Sequence, residues 1–166
     1  MTRPRPRTVA VLALAALALV ALGSLLPSAF GRDATAPAAV RSALAQTEKV
    51  QGAPGRTMVL SRVVVPPGVQ LALHHHLGTQ IAHVESGALT YTVREGSAIV
   101  REGESDQSPR LVRTIHAGQT ARLVAGQWLV EQPSDVHEAA NRGREAVVLY
   151  IATLLKTGAP PSTPVG

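Results

Sequence analysis

The chain has 166 residues, a formal net charge of +5 and 45% hydrophobic residues, but only one Trp, one Phe, two Tyr and no Cys. This is the length of one domain with a short extra segment, and so few aromatics leave Val, Leu, Ile and Ala to build the core, a composition suited to strands packed by β-branched side chains. The charge sits mainly at the start: Arg3, Arg5, Arg7, Arg32 and Arg41 face Asp33 alone in residues 1–45, whereas residues 46–166 carry eleven Lys and Arg against ten Asp and Glu, which excludes a nucleic-acid footprint on the folded part.

In chain order, residues 1–30 read as a signal peptide or membrane anchor. Arg3, Arg5 and Arg7 form a positive flank, and Val9 to Leu26 is an apolar run broken only by Gly23 and Ser24. The run approaches the roughly 18 to 20 residues that span a bilayer, so a cleaved signal and an uncleaved anchor are both open. Ala43-Leu44-Ala45 offers a small-x-small cleavage pattern, in competition with an earlier cut near Ala29. The spaced arginines do not form a twin-arginine signal, and without cysteine there is neither a lipid-anchored cysteine nor a disulfide framework. The expected location is therefore exported: secreted or periplasmic, or anchored to the outer face of the cytoplasmic membrane. The membrane is touched only through the N-terminal segment, if that segment stays uncleaved.

Residues 31–55, rich in Ala, Pro, Gly and Thr, read as a flexible linker with a short helix at Ala38 to Leu44. Residues 56–157 read as one β domain. Strands are expected at Thr57 to Val65, Val69 to His74, Gln80 to Val84, Ala88 to Val93, Ala98 to Arg101, Arg110 to His116, Thr120 to Val124, Trp128 to Gln132, Val136 to Ala139 and Ala146 to Leu155. Ten short strands with tight turns and no helix argue for an all-β, closed antiparallel architecture, which removes exposed sheet edges. The polar stretch Arg94 to Pro109 reads as an extra hairpin near a barrel mouth, either a lid or additional dimer surface. Residues 158–166, with Pro160, Pro161 and Pro164, read as a flexible tail.

Three of the six histidines are adjacent, at His74, His75 and His76. In a strand, residues two apart share a face, so His74 and His76 converge while His75 points away. Imidazoles at that spacing can share a metal ion, and a third ligand can come from a distant strand, with His137 and His116 as alternatives. His83 has the opposite strand parity from Gln80 and is expected to face outward. Tyr91 and Trp128 are expected to serve packing.

The segment from Gly68 through His74, His76 and Gln80 to Gly87 resembles the first cupin motif: glycine, five residues, His-x-His, three or four residues, glutamate, six residues, glycine. Gln80 stands where the family has Glu. Gly126, Gln132, Ser134, His137 and Asn141 match the second cupin motif in spacing, with Gln132 and Ser134 in place of proline and glycine. The resemblance covers roughly residues 57 to 155 and implies a cupin-type jelly-roll β-barrel that forms a homodimer. It also implies one divalent transition metal (Fe, Mn, Ni, Zn or Cu) on His74, His76 and His137, with Gln80 in the position of the fourth ligand. Gln80 either ligates the ion or offers its amide to a bound ligand or water. A neutral amide in place of a carboxylate would leave a more positive centre and favour an anionic substrate.

Two function classes follow. One is a metal-dependent oxygenase acting on a small anionic, enol or catechol-like molecule, with isomerase or decarboxylase chemistry as variants. The other is a non-enzymatic module of the cell envelope that holds a small molecule or a metal. Glu85, Glu131 and Glu138 lie near the motifs as acid or base candidates of unknown facing. The fold alone does not choose between the classes.

Overall fold

Apolar residues alternate with polar ones along most of the runs named above, and the computed structural model, which describes residues 37–104 and 108–166, resolves them into two antiparallel sheets. The strands are β1 (Val40–Thr47), β2 (Arg56–Val65), β3 (Gln70–His75), β4 (Gly78–Ser86), β5 (Ala88–Glu95), β6 (Ser97–Glu102), β7 (Arg110–His116), β8 (Thr120–Val124), β9 (Gln127–Glu131), β10 (Val136–Ala140), β11 (Val147–Lys156) and β12 (Thr163–Pro164). One sheet has the order β1-β2-β11-β4-β9-β6-β7 and the other β12-β3-β10-β5-β8. This is the all-β jelly-roll arrangement expected from the sequence. No α-helix occurs among the described residues, and none there is long and apolar enough to cross a membrane.

The core lies between the sheets, and period-two alternation fills it. On β11, Val147, Leu149, Ile151, Thr153 and Leu155 are buried while Tyr150 and Ala152 face out. From β2 come Ser61, Val63 and Val65; from β5 come Leu89, Tyr91 and Val93. Gly87 makes the β4–β5 turn at φ 78, and a side chain there would run into the Ala146 carbonyl oxygen at 2.8 Å, so both the conformation and the space call for glycine.

The two departures in the second motif are absorbed locally. Gln132-Pro133-Ser134-Asp135 forms a turn closed by Asp135 N–H to Gln132 O at 3.0 Å, with Pro133 in the position where its fixed φ favours the turn. The buried Asp135 carboxylate accepts the Gln132 N–H at 2.7 Å, supporting the corner from the side. Asn141 is also structural: its Nδ2 donates to the Val65 and Glu145 carbonyls at 2.8 and 2.7 Å, and its Oδ1 accepts the Gly143 N–H at 2.9 Å.

Both ends of the β domain differ from expectation. The helix expected at Ala38 to Leu44 is strand β1, paired with β2 from Val40↔Val64 to Thr47↔Met58. A helix of that length is marginal alone, whereas the edge of β2 offers a ladder of backbone partners to the residues of β1 that face it. The Ala43-Leu44-Ala45 cleavage pattern thus lies within a paired strand. At the other end, the tail folds back: β12 pairs with β3 at Thr163↔His75 and Pro164↔His74, and Val165 N–H donates to Leu73 O at 3.1 Å. The β structure therefore extends on both sides of residues 56–157. The targeting segment at residues 1–30, including Ala29, lies outside the described residues, as do residues 105–107 of the Arg94 to Pro109 hairpin.

Candidate metal centre

Cross-strand register brings the predicted histidines together. His137 on β10 sits opposite His74 on β3, and His76 follows two residues after His74, just past the end of the strand. The ring centroids lie 4.4 Å apart for His74–His137, 5.0 Å for His74–His76 and 5.2 Å for His76–His137. One nitrogen from each ring falls within 4.8 Å of the other two, so the three imidazoles could hold a single ion. His75 points away from the cavity and its backbone pairs with β12. His116 is exposed at the end of β7, far from this cluster in the topology, and His83 faces an outer groove with Ile81 and Trp128. Between the two alternatives for a third imidazole, the fold brings His137.

Two of the rings are held by the backbone. His74 Nδ1 meets Ala72 O at 2.6 Å and His76 Nδ1 meets Pro161 O at 2.7 Å. A nitrogen facing a carbonyl carries the proton, so in both rings Nε2 is left with its lone pair for a metal, the arrangement found when a backbone carbonyl orients a ligating histidine. His76 and His137 are 1% and 2% exposed. Burial pushes His137 down to about 4, against the pull of Glu131, which leaves its ring neutral and able to ligate at neutral pH. Burial also lowers His74, with the Ala72 hydrogen bond opposing.

Opposite the imidazoles lies a carboxylate whose facing could not be read from the motifs. Glu131 ends β9 directly across from Gln80 on β4, and both side chains enter the cavity, 3% and 4% exposed. Glu131 Oε1 is 3.3 Å from His137 Nε2, and its Oε2 is 3.4 Å from His76 Nε2. Gln80 Nε2 donates to Oε2, and Tyr91 OH donates to Oε1 at 2.9 Å. Burial works to raise the Glu131 carboxyl, while positive charge at the His137 and His76 positions, such as a bound metal ion would bring, and the Gln80 amide work to lower it and outweigh burial. Burial and the adjacent Glu131 raise the Tyr91 phenol, keeping it a donor. Tyr91 also stacks on His137, centroids 5.0 Å apart, so the aromatic expected to serve packing belongs to the centre. The signal was present: on β9, Glu131 shares parity with the inward Gln127 and Leu129. Trp128, of opposite parity, faces the outer groove and donates from Nε1 to Gly103 O at 2.9 Å.

The cluster forms the polar end of a cavity of about 320 Å³ whose walls are otherwise aliphatic, with Val63, Leu73, Leu123, Leu129 and Ile151 among them. Arg41 from β1 and Ser162 and Pro164 from the folded tail also reach it. Both chain ends, read from sequence as linker and tail, therefore contribute to the site.

No family model matches the sequence, and no curated protein does. Solved structures do. A cupin 2 domain-containing protein from Halorhodospira halophila superposes with a TM-score of 0.50 at 14% identity, covering 78% of this chain and 71% of that one. A cupin-like protein from Thermotoga maritima gives 0.49 at 19% identity, covering 77% and 76% of the two chains. A cupin domain from Bordetella pertussis gives 0.46 at 16%, covering 71% and 94%. At 14% identity the likeness to the Halorhodospira structure speaks to fold alone: the chain has a cupin-type fold.

Proposed function

We propose that this chain is a metal-dependent enzyme of oxygenase type, acting on a small, largely apolar molecule that carries an enol or catechol oxygen. The observation that carries the reading is the placing of three convergent imidazoles at the polar end of an aliphatic cavity of about 320 Å³. The donor set fits a divalent transition metal: the Nε2 atoms of His74 and His76 are freed by backbone carbonyls, and a buried carboxylate faces Nε2 of His76 and His137. Bound on His74, His76 and His137, such an ion would supply Lewis acidity and, if redox-active, chemistry with dioxygen.

The chain's own groups handle orientation. Glu131 faces the cavity, where its charge can accept a hydrogen bond from an enol or catechol hydroxyl and orient it, while the Tyr91 hydroxyl, hydrogen-bonded to Oε1, steadies the carboxylate and limits where its charge points. The aliphatic walls exclude water and select for an apolar body, and Arg41 offers a cation to an acidic substituent. The Glu131 charge offsets the neutral Gln80, so the substrate need not be a strong anion, in contrast to the inference from Gln80 alone. The arginine-flanked apolar run before the β domain supports an exported location.

The test is oxygen uptake by iron-reconstituted protein across catechols, flavonols and β-diketones. Turnover with any of these classes, abolished by His137→Ala, is the expected result. Full metal occupancy with no uptake for any metal or substrate would overturn the oxygenase reading in favour of a non-enzymatic holder.

A further inference from the structure

We propose that Glu131 is the anionic donor of the metal centre and that Gln80 is the residue that positions it, so that the acid lies one strand away from the place where the motif would put it. The inference rests on the metal-binding reading above.

Residues directly opposite in an antiparallel pair project to the same face side by side, and Gln80 and Glu131 are such a pair on β4 and β9. A carboxylate at 131 therefore reaches the same level of the cavity as one at 80 would. Its oxygens stand 3.3 and 3.4 Å from His137 Nε2 and His76 Nε2. Donor atoms about 2.0 to 2.2 Å from one ion are themselves roughly 3 to 3.5 Å apart at the angles metals adopt, which is the separation seen here.

The hydrogen-bond bookkeeping leads to the same place. With the His76 Nδ1 proton directed to Pro161 O, His76 Nε2 presents a lone pair to a carboxylate oxygen, and this nitrogen has no hydrogen-bond partner. Two acceptors facing each other at 3.4 Å repel unless a positive charge, a proton or a metal ion, stands between or beside them. Among the described residues, no Lys or Arg comes within ion-pair distance of Glu131; its ion-pair contacts are the two imidazoles. A fully buried carboxylate without a fixed counter-charge is unfavourable, and a divalent ion supplies one. Gln80, its Nε2 donating to Glu131 and its Oε1 without a partner, acts on the carboxylate rather than on solvent.

The experiment is Co²⁺ titration of the metal-free protein, followed by visible absorption, which reports the donor set independently of activity. Glu131→Gln is expected to weaken Co²⁺ binding roughly ten- to a hundredfold and to shift the bands, by analogy with the loss of groups that support metal ligands. The exchange variant, Gln80→Glu with Glu131→Gln, is expected to recover most of the lost affinity, because the carboxylate then enters from the neighbouring strand. Gln80→Leu, which keeps the volume and drops the amide, is expected to lower affinity without changing stoichiometry.

Wild-type affinity and unchanged bands in Glu131→Gln, with binding lost in His137→Ala, would overturn the role of Glu131 while leaving the three-histidine centre intact. If Glu131→Gln alone does not fold, the exchange variant decides, and failure of that variant to bind Co²⁺ counts against the inference. Unchanged affinity in Gln80→Leu would reduce Gln80 to packing. Failure of the wild-type protein to bind Co²⁺ would remove the metal reading itself.

Discussion

The two walls that meet at the centre are built differently. On the β3–β10 wall, His74 and His76 are held by backbone carbonyls of Ala72 and Pro161, so their orientation depends on chain path. On the β4–β9 wall, Glu131 is held by side chains, the Gln80 amide and the Tyr91 hydroxyl. A backbone carbonyl survives any substitution at its own residue, whereas a side-chain partner is lost by one. The imidazole wall should therefore be robust to all but ligand replacement, and the carboxylate wall open to tuning.

The comparison is broken most severely at His137, which is buried, pairs across from His74 and stacks on Tyr91. His137→Ala is expected to abolish stoichiometric metal binding, measured by metal content after equilibrium dialysis; retention of one ion per chain would remove this residue from the centre. Next in size is removal of the folded tail. Deleting residues 160–166 takes away the Pro161 carbonyl, and metal affinity should fall about tenfold, the lower end of the effect for such supporting groups, while the two-residue strand β12 contributes little to melting.

Tyr91→Phe sharpens the other wall. It leaves the stacking on His137 and removes only the hydrogen bond to Glu131, so stability should drop by about 1 kcal/mol, and substrate turnover should suffer more than metal content. Oxygen uptake, read beside thermal unfolding and metal analysis, separates this from a packing defect. Asn141→Ala provides the contrast: it severs bonds to Val65 and Glu145 away from the cavity and should cost about 2 kcal/mol with metal stoichiometry unchanged. The smallest effect is expected at His116, exposed at the end of β7, where substitution by Ala should leave both melting and metal content at wild-type values.

Much of this was legible in the chain before folding. The ten central strands follow from β-branched runs between turn residues, because period-two burial leaves a local record in every strand. The convergence of His74 and His76 with His75 turned away follows from the same parity. What local pattern could not reveal were features decided by a partner: β1 is a strand because β2 has an open edge, and β12 exists because β3 accepts it. For the same reason Arg41, Ser162 and Pro164 reached the cavity from segments that read as linker and tail.

The sequence by itself determined an all-β chain, the imidazole pair on one face of β3 and the second-motif His137, since alternation and motif spacing are carried by neighbouring residues. Only the tertiary structure decided how closely His137 meets that pair across β3 and β10, and that the acid opposite them is Glu131 rather than position 80. Both depend on strand register, which is set by contacts between segments about fifty or more residues apart, and register between distant strands is fixed when the two sheets close over a common core, leaving no trace in either segment alone.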